Sequence, residues 1–139
     1  MSQRNNPTLV NFNVNGATIP AYRIAKQAST STVVRAVALW DTATAFIIGL
    51  TTEQSGATNT AVQVAVGGTA KGQCGASVSA GSLLTGFTTT GEVVEAAANV
   101  LNTTTTVIPR TVGQAMQVGN SGSAIEVYVN PNNIRIQFA

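Results

Sequence analysis

The chain has 139 residues, of which 44% are hydrophobic and 9% charged, with a net charge of +2 and no histidine. One domain of this length buries about 70% of the surface its unfolded chain exposes, so it folds without metal or disulfide. Its seven cations are scattered and form no run, which argues against nucleic acid as a partner.

The charged fraction lies far below the roughly 25% of ordinary soluble domains. Thr, Ala, Val, Gly, Ser and Asn take the place of the missing charges. A neutral, hydrogen-bonding surface does little to keep copies apart, which suits a protein that lives in an assembly. The other reading is a Thr-rich β surface that is simply polar. The start, Met1-Ser2-Gln3-Arg4-Asn5-Asn6, lacks the apolar core of a signal peptide. Ala45-Phe46-Ile47-Ile48 is too short to cross a bilayer. These features predict folding in a reducing cytoplasm, with no membrane partner.

Residues 1–8 are polar, contain a proline and read as extended. Leu9-Val10-Asn11-Phe12-Asn13-Val14 alternates, which places Val10, Phe12 and Val14 on one face of a strand. Asn15-Gly16 is a turn signal. Residues 1–16 therefore read as an N-terminal arm ahead of a single β domain at 17–139. Tyr22-Arg23-Ile24-Ala25 reads as a short strand, Ser29 to Thr32 as a turn and Val33 to Leu39 as a strand. Asp41 to Thr44 turns, Ala45 to Leu50 is a strand, and Thr51 to Asn59 is a loop. Ala61 to Val66 alternates cleanly and is expected to close at Gly67-Gly68.

A second round opens with Thr69 to Cys74 and Leu83-Leu84-Thr85. Ala96-Ala97-Ala98 favours a helix over Glu92 to Leu101, but the repeat described below favours strand for Val93 to Ala97. Asn102 to Thr106 reads as a polar loop, and Val107 to Gln117 as strand broken by Pro109. Ala124 to Val129 is a strand and Asn130 to Asn133 a turn. A last strand spans 134–138, with Ile134, Ile136 and Phe138 at period two. Short strands, glycine turns and almost no helical period predict an all-β fold, a small sandwich or barrel.

The same pattern occurs twice, over 17–68 and 69–130. Val33-Val34-Arg35-Ala36 lines up with Val93-Val94-Glu95-Ala96, Ile48-Gly49-Leu50 with Val112-Gly113-Gln114, and Val62 to Val66 with Ile125 to Val129. Neither copy carries catalytic groups. Without histidine, the commonest general base and metal ligand are missing. Glu92 and Glu95 read as solvated charges beside a turn. Cys74 has no base or cation among its neighbours Gly72, Gln73 and Gly75 to lower its pKa. The glycines of Val66 to Gly72 lack the spacing of a phosphate loop. No enzymatic activity, cofactor or metal is expected.

Trp40, the only tryptophan, either anchors a subunit contact or fills the core. Tyr22 and Arg23 make an interface pair or an edge pair. Leu9, Val10, Phe12 and Val14 are candidates for strand addition to a partner. Ile134, Ile136 and Phe138 are candidates for a subunit contact or for closing the barrel.

The order of elements resembles the decoration, or cement, proteins of tailed-bacteriophage capsids. Ile19 to Ile24, Ile48-Gly49-Leu50 and Val62 to Gly68 carry the first round of the resemblance. Ala80 to Leu84, Thr90 to Ala96, Val112 to Ala115 and Ile125 to Val129 carry the second. It covers about residues 17–130, and each piece is low in complexity. The ends and the loop at Asn102 to Thr106 depart from it. The resemblance implies a structural protein on the outer surface of an icosahedral head, a homotrimer that bridges major capsid protein subunits and strengthens the shell. Thr-rich β repeats equally suit a tail-fibre or adhesion module that binds host glycans. A single-strand nucleic-acid barrel needs a basic groove with stacking aromatics, for which the chain is poorly equipped.

Overall fold

The computed structural model describes residues 7–28, 35–41, 45–87, 90–96, 99–102, 105–108, 110–133 and 136–138. Among them are twelve strands and no helix. The first five are β1 (Thr8–Val14), β2 (Ile24–Gln27), β3 (Ala36–Leu39), β4 (Ile47–Thr51) and β5 (Ala61–Gln73). They pair in the order β1-β3-β2-β4-β5, and β1 returns to β5, so the ring closes as a five-stranded barrel. The β1–β3 pair is parallel, through Asn13–Ala36 and Val14–Val37; the other pairs are antiparallel. Val14, Ile19, Ala25, Val37, Val62 and Val64 fill the interior, with Phe12 and Leu39 packed against them.

The second unit repeats this wiring. It uses the end of β5 with β6 (Leu83–Gly86), β7 (Val93–Glu95), β10 (Thr111–Ala115) and β11 (Ala124–Asn132). Its order is β5-β11-β10-β6-β7, and one parallel bridge, Cys74–Val93, brings β7 back to the end of β5. Cys74–Val93 is thus the counterpart of Val14–Val37. Val78, Leu84, Val93, Val112, Ile125, Val127 and Val129 lie in this unit's core.

Backbone hydrogen bonds repeat with the strands. Val14 N–H donates to Thr60 O, as Cys74 N–H does to Ser123 O. Thr51 N–H donates to Arg23 O, as Ala115 N–H does to Ser82 O. Trp40 N–H donates to Ile24 O, as Ala96 N–H does to Leu83 O. Gly49 and Gly113 are equivalent for a steric reason. A Cβ on either would sit 2.0 or 1.9 Å from the carbonyl oxygen of Ala65 or Tyr128, so glycine lets β4 and β10 press against β5 and β11.

The all-β expectation holds, as does strand rather than helix at Val93. Five readings are corrected. First, β5 does not close at Gly67-Gly68 but runs thirteen residues through it, and Gly68, at φ 74°, carries the strand from one barrel into the other. The unit boundary therefore lies inside a strand. Second, Thr8–Val14 is no arm. It is the strand that closes the first barrel, held on both sides by β3 and β5; the start, 1–6, lies outside the described residues.

Third, the Val-Val pairs were aligned four residues off. Val93 answers Val37, which makes Trp40 the counterpart of Ala96; Val33 and Val34 lie outside the described residues. Fourth, β11 continues through Asn130 and Pro131 to Asn132 where a turn was expected. Fifth, where a loop was expected at 102–106, Asn102 lies in β8 (Asn99–Asn102) and Thr105 and Thr106 in β9 (Thr105–Ile108), which pair as a hairpin; 103 and 104 lie outside the described residues. This hairpin pairs with β12 (Ile136–Phe138) in a separate three-stranded sheet. At its root, Arg110 Nε donates to Asn133 O at 3.0 Å. The Asn133 side-chain amide caps β4 by accepting from Ile47 N–H at 2.7 Å and donating to Ile47 O at 3.0 Å.

Candidate association surface

The clearest candidate site is a row of residues across the outside of the second unit. Strand register aligns Leu83 on β6, Gln114 on β10, Tyr128 on β11 and Thr69 on β5. Inward alternation of Ile125, Val127 and Val129 turns Tyr128 outward. Leu83 is 56% exposed and Tyr128 45%. Further along from Gln114, Met116 is 57% exposed and Val118 69%. Monomers expose single apolar side chains routinely; contiguous groups of them mark interaction sites. Lys71 and Glu126 face each other in the next rung, so the face carries one charge of each sign.

The equivalent row of the first unit is Ile24, Leu50, Ala65 and Leu9. There Ile24, Leu50 and Ala65 are fully buried, within the same cluster as the second unit's core. Trp40 belongs to this junction. Its indole lies so close over β6 that a Cβ on Gly86 would stand 2.2 Å from Nε1. Trp40 Nε1 and Arg23 Nε are both buried without a hydrogen-bond partner. Arg23 also ties the units together: its guanidinium donates to Thr90 O at 3.0 Å and lies 3.8 Å from the Glu92 carboxylate.

The candidates read from sequence fall in different environments. Val14 and Trp40 are buried in the chain's own core and are closed to a partner. Phe12 is half-buried against the first core, and Val10 is half-buried; Leu9 is exposed. Tyr22 is half-buried, with a left-handed backbone at φ 62°. It is held there by Tyr22 N–H donating to Thr51 O and Gln73 N–H donating to Tyr22 O. Ile136 and Phe138 lie in β12, far along the chain from these; Ile134 is outside the described residues. The candidates therefore do not form one site. Leu83, Met116, Val118 and Tyr128 are not among the candidates read from sequence, although the alternation of Ile125 to Val129 turns Tyr128 out.

Two titratable groups are perturbed. Burial pushes the Cys74 thiol up, and the Glu92 charge adds to this, so the thiolate is disfavoured. Glu95 is held below the ordinary carboxyl value, first by the Ser79 N–H and then by the Ser82 hydroxyl, at 2.7 and 3.1 Å from its Oε1. It pins the loop that leads into β6.

The arrangement defines a class of two tandem five-stranded β units sharing one long strand. The chain is similar in fold to the crystal structure of the head fiber gp8.5 N base of bacteriophage phi29. The TM-score is 0.63 at 12% sequence identity, over 88% of this chain and 95% of that one. No family model matches the chain, and no curated protein is similar in sequence.

Proposed function

We propose that the chain is a structural protein of a bacteriophage virion that binds the outer surface of the head, as a homotrimer, and bridges major capsid protein subunits. One observation carries the reading: nearly the whole chain shares its fold with nearly the whole base of a head fiber. The resemblance of the sequence to capsid decoration proteins points to the same location on independent grounds. A surface poor in charge supports it too, because many copies bound by modest, repeated contacts gain avidity without strong single contacts.

A second reading, an adhesion module that binds host glycans, draws on the word fiber in the neighbour's name. Co-sedimentation separates the two. Purified chain mixed with heads assembled without it should pellet with them saturably and leave host glycans unbound. Binding to glycans with none to heads would replace the first reading by the second.

A further inference from the structure

We propose that the row Leu83–Gln114–Tyr128, with Met116 and Val118 beside it, is the surface on which a second copy of this chain docks. Both units present the same row on the outer face of the same three strands, at matched register. In the first unit the row is a finished interface: Ile24, Leu50 and Ala65 are fully buried within the second unit's core cluster. In the second unit Leu83 answers Ile24 and Tyr128 answers Ala65, while Gln114 takes the place of Leu50; Leu83 and Tyr128 are about half exposed. The surface is thus the repeat-equivalent of an interface that the chain already makes with itself.

Two further observations choose a copy of the chain as the occupant. At the positions matching Met116 and Val118 the first unit has Thr52 and Gln54, so these two exposed apolar side chains occur only in the unit that lacks a cover. The bordering charges, Lys71 and Glu126, are of opposite sign and cancel, so this face adds no repulsion of its own against the same face or another face of a second copy. The inference deepens the oligomer part of the proposed function and needs no capsid.

The test is the solution mass of the purified full chain. Wild type is expected at a multiple of the 14.2 kDa protomer. Leu83→Glu with Tyr128→Glu is expected to return the mass to one protomer, with circular dichroism and unfolding temperature unchanged. Wild type that stays at one protomer at the highest soluble concentration overturns the proposal, as does a double variant that keeps the wild-type mass. If that variant folds poorly, Met116→Lys with Val118→Lys decides in the same way: loss of the multimer supports the proposal and its retention overturns it. Head binding is measured separately, so chains that associate without binding heads would sink only the capsid reading.

Discussion

Tyr22 and Gly81 occupy the same left-handed backbone position in the two units, with φ of 62° and 87°. Each N–H donates to the equivalent carbonyl, Thr51 O for Tyr22 and Ala115 O for Gly81. Two more pairs behave alike: Arg35 at 52° answers Gly91 at 67°, and Asn59 at 69° answers Gly122 at 87°. The fold demands left-handed residues at these places, and only the second unit meets the demand with glycine. A side chain there costs about 1–2 kcal/mol.

Gly81→Ala and Gly91→Ala should therefore differ. Around Gly81 there is open space, so an alanine meets only the backbone cost, about 1 kcal/mol. At Gly91 the new Cβ would also lie 2.6 Å from Leu39 Cδ1 and 3.2 Å from Ile24 O, and the loss should be clearly larger. Denaturant midpoints measure both. Equal losses would contradict the packing of Gly91 against β2 and β3.

Gly49→Ala and Gly113→Ala should be the most damaging single methyl additions in the two barrels. Each drives a Cβ into a neighbouring strand's carbonyl, a rigid group that cannot step aside. Losses of about 3 kcal/mol or more are expected, at the top of the overpacking range. Thermal unfolding of the two variants, side by side, tests whether both units depend on the same close approach.

Val14→Ala should cost about 2 kcal/mol, because Val14 is fully buried in the first barrel's core. Removing residues 1–14 should do far worse. It strips β1 from both of its neighbours and uncovers Val62 and Val64. A shortened chain with wild-type unfolding temperature would restore the arm reading that the structure overturns.

Glu95→Gln gives a pH signature. The folded carboxyl is depressed below its ordinary value near 4.5 by donors that favour the charged form. Its contribution to stability is therefore complete above that value and disappears as pH falls through the lower, folded one. The wild type should be more stable than Glu95→Gln at neutral pH, and the gap should close in acid. A gap that is constant with pH would show that the Ser79 and Ser82 contacts do not depend on charge.

Much of this was legible in the sequence. Alternating Val62 to Val66 and Ile125 to Val129 form strands as expected; Val93 to Glu95 is strand rather than helix as the repeat favoured, although the pairing with Val33 that favoured it is four residues off. The role of β1 was not legible. Its structural counterpart is Thr69 to Cys74, and Leu-Val-Asn-Phe-Asn-Val shares no pattern with Thr-Ala-Lys-Gly-Gln-Cys. Gly67-Gly68 reads as a stop because glycine weakens a strand interior; here Gly68, at φ 74°, lies inside one strand that the two units share. The association row was hidden for a different reason. Ile24 and Leu83 are chemically alike, and only the packing of one unit on the other makes the first buried and the second exposed.

The proposed seat of the chain is the outside of a phage head. Electron imaging of heads assembled without the chain, before and after its addition, tests this most directly. Added density at fixed positions on the outer shell, matching two tandem barrels, is the predicted result. Shells that stay bare at saturating chain would contradict it.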